Sequence, residues 1–223
     1  MSFELFDPSG ELAISQGHLP HWFQKGVTYF ITFRTNDSVP ADLANDWHGR
    51  RLAWFQQQGV SVANEGLKMA LARLPENLQT EYHSTFTREF MGYLDRGHGT
   101  CVLRAPEYAR IVADALLHFD RKRYLMGDFV VMPNHVHLLV CLMNQTDVEG
   151  QCYSWKKFSA GKINKLLGTS GRFWQEESFD HLVRNPKQFV ALRKYIAENP
   201  EKANLKEGEY VHYVFDREPD RQR

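Results

Sequence analysis

Two pairs of side chains in this sequence have the types and spacing to do chemistry on a substrate. In VVMPNHVHLLV, residues 130 to 140, His135 and His137 stand two apart. If this apolar run is a strand, both imidazoles emerge on one face while Val136 points to the other. Side-by-side imidazoles can share a divalent ion. Two such ligands suit Mn, Zn or Fe, and a Mg-like role is open where substrate phosphate and water supply the other positions. The second pair is in RKYIAENPEKANL, residues 193 to 205, where Tyr195 and Asn199 are four apart and share one face of a helix. A phenol, with an ordinary pKa of about 10, is a poor nucleophile. A metal-polarised phosphate and positive charge from Lys194 or Lys202 would favour its attack. Each pair also has a plainer reading. The histidines could be polar residues on a solvated strand face, and Tyr195 could pack its ring on a sheet while Asn199 caps the helix before Pro200.

The elements that must position these residues can be read from the pattern. GVTYFITFRT, from Gly26 to Thr35, is rich in β-branched and aromatic residues and predicts a buried strand. A helix starts in Ser38-Val39-Pro40-Ala41-Asp42 and runs to Gln58 before Gly59. Residues 60–97 hold further helical pieces, broken around Gly66 and Pro75, which form a helical elaboration. Thr100 to Arg104 predicts a short strand. Pro106 opens a helix to about Arg121, with Ile111, Val112, Ala115, Leu116 and Phe119 at helical spacing. Tyr124 to Met132 and His135 to Leu142 predict two strands joined by the turn residues Pro133 and Asn134. Ser154 to Leu167 predicts a basic amphipathic helix, Arg172 to Val183 a strand, and Pro186 to Asn199 a helix stopped by Pro200. This order predicts a single α+β domain over residues 1–223, a mainly antiparallel sheet covered by helices, of the split βαβ type.

Composition narrows the function classes. Of 223 residues, 43% are hydrophobic and 24% charged, which suits a packed globular chain and argues against disorder or a coiled coil. Lys plus Arg and Asp plus Glu both number 27, so a nucleic-acid surface has to come from uneven distribution. Between Gln151 and Lys206 there are eleven Lys or Arg against five Asp or Glu. Cys101, Cys141 and Cys152 lack C-x-x-C spacing and are odd in number, which points away from a disulfide framework or a cysteine zinc site and fits a reducing cytoplasm. No apolar run is long enough to span a membrane, and the start of the sequence lacks the pattern of a secretion signal.

Taken together, the segments resemble a known family, the single-tyrosine HUH transposases, and within it the REP-associated tyrosine transposases. MPNHVHLLV is similar to that family's His-hydrophobic-His strand, and YIAENPEKANL to its nucleophile helix. Further likeness lies in LPHWFQKGVTYFITFR (residues 19–34), YLMGDFVVMP (residues 124–133) and FWQEESFDHLVR (residues 173–184). The resemblance implies a ferredoxin-like catalytic domain with Tyr195 as nucleophile, His135 and His137 as metal ligands, Asn199 as third ligand, and Mg or Mn as the ion. It departs from the family at residues 60–97, which are longer than the family minimum, and at Glu201, where an apolar residue is common.

The implied chemistry is attack of Tyr195 on a scissile phosphate of single-stranded or hairpin DNA. The 3′-oxygen leaves as a hydroxyl and a 5′-phosphotyrosine link keeps the bond energy for rejoining. Relatives in the family work as monomers or as homodimers that exchange the tyrosine helix. The helix from Ser154 offers candidate DNA contacts in Trp155, Lys156, Lys157, Lys162 and Lys165, with Phe173 and Trp174 as stacking platforms. His181 reads as a structural hydrogen-bonding group, and Asp128 as a group that could orient an imidazole. Two other function classes compete: a domesticated hairpin-binding protein that no longer cuts, and a two-histidine hydrolase of small molecules, which leaves the Tyr-x-x-x-Asn helix without a task.

Overall fold

The computed structural model describes residues 2–10, 13–14, 22–62, 66–143 and 147–216, with backbone alone at 13, 14, 22, 23 and 68. Residues 19–21, at the start of the LPHWFQKGVTYFITFR segment, lie outside the described residues. A short ribbon pairs β1 (Ala13–Ile14) with β2 (Trp22–Phe23). The main sheet holds β3 (Thr28–Arg34), β4 (Tyr124–Val131), β5 (His135–Leu142), β6 (Phe179–Leu182) and β7 (Val211–Tyr213) in the order β6-β3-β5-β4-β7, all antiparallel. The helices are α1 (Ala41–Gln57), α2 (Gly66–Arg73), α3 (Glu76–Tyr82), α4 (Arg88–Asp95), α5 (Pro106–Leu117), α6 (Val148–Leu167) and α7 (Pro186–Lys202), with a π-helical turn at His83–Thr87 between α3 and α4. The path β3–α5–β4–β5–α6–β6 is the split βαβ arrangement, and β7 adds an edge strand beside β4.

Alternation along the strands decides what each face carries. Tyr29, Ile31 and Phe33 of β3 and Val136, Leu138 and Val140 of β5 look to one side, where α5 and α6 cover them with Val112, Leu116, Trp155 and Ile163. Each fully buried side chain of this kind contributes roughly 1.5–3 kcal/mol. Phe30, Val130, Met132 and Leu139 look to the other side, where α7 lays Ile196 over them. A bulge between Met126 and Phe129 keeps β4 in phase with both layers. Gly127 lies in it because a Cβ there would meet the Leu139 carbonyl oxygen at 2.9 Å and the Phe3 ring at 3.2 Å.

Several expectations need correction. The elaboration expected at residues 60–97 shares its core with α1: Trp54 and Phe55 pack on Ala70, Leu74, Tyr82 and Phe86, and Trp47 packs on Leu94. The helical unit therefore begins at Ala41. Thr100 to Arg104 is not a strand but a turn of 3-10 helix at Val102–Arg104, entered through Cys101 at φ 51°. Helix α6 starts at Val148, where the Asp147 side chain accepts from the Gly150 amide. Of Arg172 to Val183 only Phe179–Leu182 is a strand. Helix α7 does not stop at Pro200 but continues to Lys202, since a proline removes only one donor and the last carbonyls are met by Ala203, Asn204 and Leu205 amides.

Candidate metal centre and tyrosine helix

His135 and His137 are wholly buried on the α7 side of the sheet, and their Nε2 atoms lie 3.0 Å apart. Each ring is held at its other nitrogen. Asn134 donates through Nδ2 to the His98 carbonyl at 2.8 Å, so its Oδ1 can only accept from His135 Nδ1 at 2.7 Å. That hydrogen-bond network assigns a proton of His135 to Nδ1 and turns Nε2 toward the site. The Thr32 hydroxyl, opposite His137 in the β3–β5 register, holds His137 Nδ1 at 2.7 Å, and the Phe30 ring stacks on His137 at 5.6 Å.

Helix α7 begins at Asn185, whose side chain accepts from the Gln188 amide, with Pro186 at the first helical position. This start sets the phase that brings Tyr195 and Asn199 to the histidines. The Tyr195 hydroxyl is 3.3 Å from His137 Nε2 of the same chain. Asn199 is wholly buried, its Nδ2 donates to Asp95 Oδ1 at 3.3 Å, and its Oδ1 has no partner. Lys202 stands 5.8 Å above the Tyr195 ring, but both Lys202 and Lys194 pair with Glu198.

The residue that sequence reasoning missed is Asp95, the last residue of α4. Its Oδ1 lies 3.5 Å from His135 Nε2 and 3.7 Å from His137 Nε2, and its Oδ2 is 3.5 Å from the Tyr195 hydroxyl. One signal could have found it: a carboxylate in the last turn of a helix opposes the macrodipole at a cost of about 0.3–1 kcal/mol, so it needs a partner elsewhere.

Burial pushes the His137 imidazole down to about 4, helped by its neighbour His135 and opposed by Asp95. Burial works to raise the Asp95 carboxyl, but hydrogen bonding and charge from His135 and His137 outweigh it and hold the group below its ordinary range. The Tyr195 phenol is raised by burial and then by the Asp95 carboxylate, against a smaller opposite effect of Asn199. At neutral pH the pocket therefore holds neutral His137, an ionised carboxylate and an undissociated phenol. Asp95, His135 and His137 offer three donor atoms within 4.8 Å of one another, a group able to hold a metal ion. The donor set of two imidazoles and a buried carboxylate fits a divalent cation, whose charge would meet that carboxylate.

The expected DNA contacts divide. Trp155 is buried in the core with its Nε1 donating to the Tyr124 hydroxyl, and Trp174 is likewise core. Lys156 donates to the carbonyls of Gln175 and Glu176 and to the Ser178 hydroxyl. Trp155 and Trp174 are buried, Lys156 is half-exposed with its ammonium held by these carbonyls, and Phe173 packs partly buried against the core. Lys157, Lys162 and Lys165 are exposed, but on the helix layer away from Tyr195. His181 tilts against Phe30 and meets Gln188. Asp128 holds Arg193 at 2.7 Å and the Phe215 amide at 2.9 Å rather than His135 or His137.

No protein-family model matches the chain. An uncharacterized protein of Haemophilus influenzae is 26% identical over 34% of this chain, which spans about half (53%) of that relative's length. Among solved structures, a REP-associated tyrosine transposase bound to a REP hairpin aligns with 89% of this chain and 93% of its own, at 16% identity and a TM-score of 0.43. A Deinococcus radiodurans R1 protein proposed to be a transposase aligns with 79% of this chain and 93% of its own, at 11% identity and a TM-score of 0.27. Among the described residues no helix is long and apolar enough to cross a membrane.

Proposed function

We propose that this protein cuts and rejoins single-stranded or hairpin DNA through a 5′-phosphotyrosine link at Tyr195, as a metal-dependent transposase-type nuclease. The observation that carries the reading is the Tyr195 hydroxyl 3.3 Å from His137 Nε2, which joins the two pairs singled out in the sequence into one site within one chain. His135 and His137 would hold the ion, Mg or Mn, with Asn199 as a third, oxygen donor once its amide turns. Bound there, the ion would supply positive charge to the scissile phosphate. Tyr195 attacks phosphorus, the new bond is Tyr Oη–P, the bond broken is P–O3′, and the 3′-oxygen leaves protonated. The phenol, raised by burial and by Asp95, cannot attack efficiently at neutral pH without added positive charge, so the reaction is expected to depend on the metal. Lys157, Lys162 and Lys165 serve parts of the DNA away from the cut.

The test is cleavage of hairpin-bearing single-stranded DNA labelled at either end, with Mn²⁺ or Mg²⁺ and with chelator. A label on the 3′ side of the cut is expected to travel with the protein on a denaturing gel, and a label on the 5′ side on a free fragment ending in a 3′-hydroxyl. Tight binding with no cut strand under either metal would instead favour the domesticated hairpin binder.

A further inference from the structure

We propose that Asp95 is a metal ligand, so that the helical unit Ala41–Asp95 contributes to the centre and the donor set is two imidazoles and one carboxylate. This rests on the reading of the histidine pair as a metal site. Donors bound to one cation at about 2.0–2.2 Å stand roughly 3.0 Å apart at right angles and 3.5 Å apart in a tetrahedron. The three separations here, 3.0 Å between the Nε2 atoms and 3.5 and 3.7 Å from each to Asp95 Oδ1, are of that size. The orientation of the ring leads the same way: Asn134 Oδ1 holds His135 at Nδ1, which turns Nε2 toward both His137 Nε2 and Asp95 Oδ1.

The helical unit builds the site a second time. Three residues past Asp95, the His98 carbonyl accepts from Asn134 Nδ2 and so fixes the amide that orients His135. The loop is pinned there. The Thr100 amide and hydroxyl both donate to Asp37 Oδ2, and Gly99 sits at φ 90° against the Asp37 carbonyl, where a Cβ would come within 2.7 Å. One peptide stretch thus supplies a donor oxygen and the support of a donor nitrogen. The unit it belongs to packs around its own apolar clusters, so a shared ion would tie that unit to the sheet. Two imidazoles with a single carboxylate favour Mn²⁺ or Zn²⁺ over Mg²⁺, which prefers oxygen ligands and keeps its waters.

The experiment is titration of the full chain with Mn²⁺, read by the loss of free-ion electron paramagnetic resonance signal, for wild type, Asp95→Asn, Asp95→Ala and Glu89→Gln. Glu89 is an exposed carboxylate on the same helix, paired with Arg50. Partners that merely support metal ligands are worth about 10- to 100-fold in affinity. Both Asp95 variants are therefore expected to weaken Mn²⁺ binding by at least about tenfold, with Glu89→Gln unchanged. Hydrogen exchange of residues 88–95 is expected to slow on Mn²⁺ addition in wild type and not in Asp95→Ala. The isosteric Asp95→Asn keeps the result interpretable if Asp95→Ala unfolds. Wild-type binding matched by both Asp95 variants would overturn the proposal while leaving the histidine site standing. No Mn²⁺ or Zn²⁺ binding by wild type would overturn both.

Discussion

The two faces of the main sheet are made by alternate residues of the same strands, yet they carry different work. Toward α5 and α6 the strands present Tyr29, Ile31, Phe33, Phe129, Val136 and Leu138, a layer sealed from water in which nearly every atom is apolar. Toward α7 the same strands bury Thr32, His135 and His137, and α7 adds buried Asn199. Burying such groups costs free energy unless each finds a partner. The α7 side finds them in Asn134, Thr32 and Asp95, and leaves the Asn199 oxygen without a partner. One face holds the protein together and the other holds a reactive arrangement in place. Substitutions on the first should cost stability and spare metal binding, and those on the second should do the reverse.

The largest effect on stability is expected from Phe129→Ala, which empties the dry layer. It should lower the free energy of unfolding by about 3–5 kcal/mol in urea melts, with Mn²⁺ affinity of the folded fraction unchanged. On the other face, Asn134→Ala releases His135 Nδ1 and should weaken Mn²⁺ binding by about 10- to 100-fold, visible in the same spin-resonance titration.

The pH dependence separates the faces further. His137 has its folded value lowered to about 4, so between an unfolded value of about 6.5 and that point the unfolded chain binds the extra proton. The His137 contribution to the stability of the metal-free protein should therefore be lost as pH drops through this window, and the Asp95 carboxyl, held below its ordinary range, should continue the loss below it. Thermal melts of His137→Gln should lose that component. The helix that carries Tyr195 is set by its cap, and Asn185→Ala should cost about 1 kcal/mol. The smallest effect on chemistry is expected from replacing Lys157, Lys162 and Lys165 together with alanine. Hairpin affinity should drop and its salt slope become shallower, by about one unit for each lysine that pairs with a phosphate, while the single-turnover rate at saturation stays the same.

How much of this was legible in the sequence follows from the range of each interaction. His135 with His137 and Tyr195 with Asn199 were readable because strand and helix periods are local. The antiparallel α+β order was readable because its long strands have unbroken apolar patterns. Asp95 was not, since a carboxylate forty residues before the histidines acquires its meaning only when α4 packs on α1 through Leu94 and Trp47. Trp155 misled because its type suits nucleic acid, whereas the helix turns it into the core, and the neighbouring Lys156 is held by loop carbonyls. The three-residue strand β7 is too short to show a period, and its place beside β4 depends on pairing across the chain.

The central claim is that Tyr195 bonds to DNA, and locating that bond is its most direct test. Protein trapped on a hairpin substrate with Mn²⁺ would be treated with nuclease, digested with trypsin and sequenced by mass spectrometry. The peptide YIAENPEK should carry a phosphonucleotide on Tyr195, absent from Tyr195→Phe and from chelated samples. An adduct on any other residue, or cleavage that persists in Tyr195→Phe, would contradict the account.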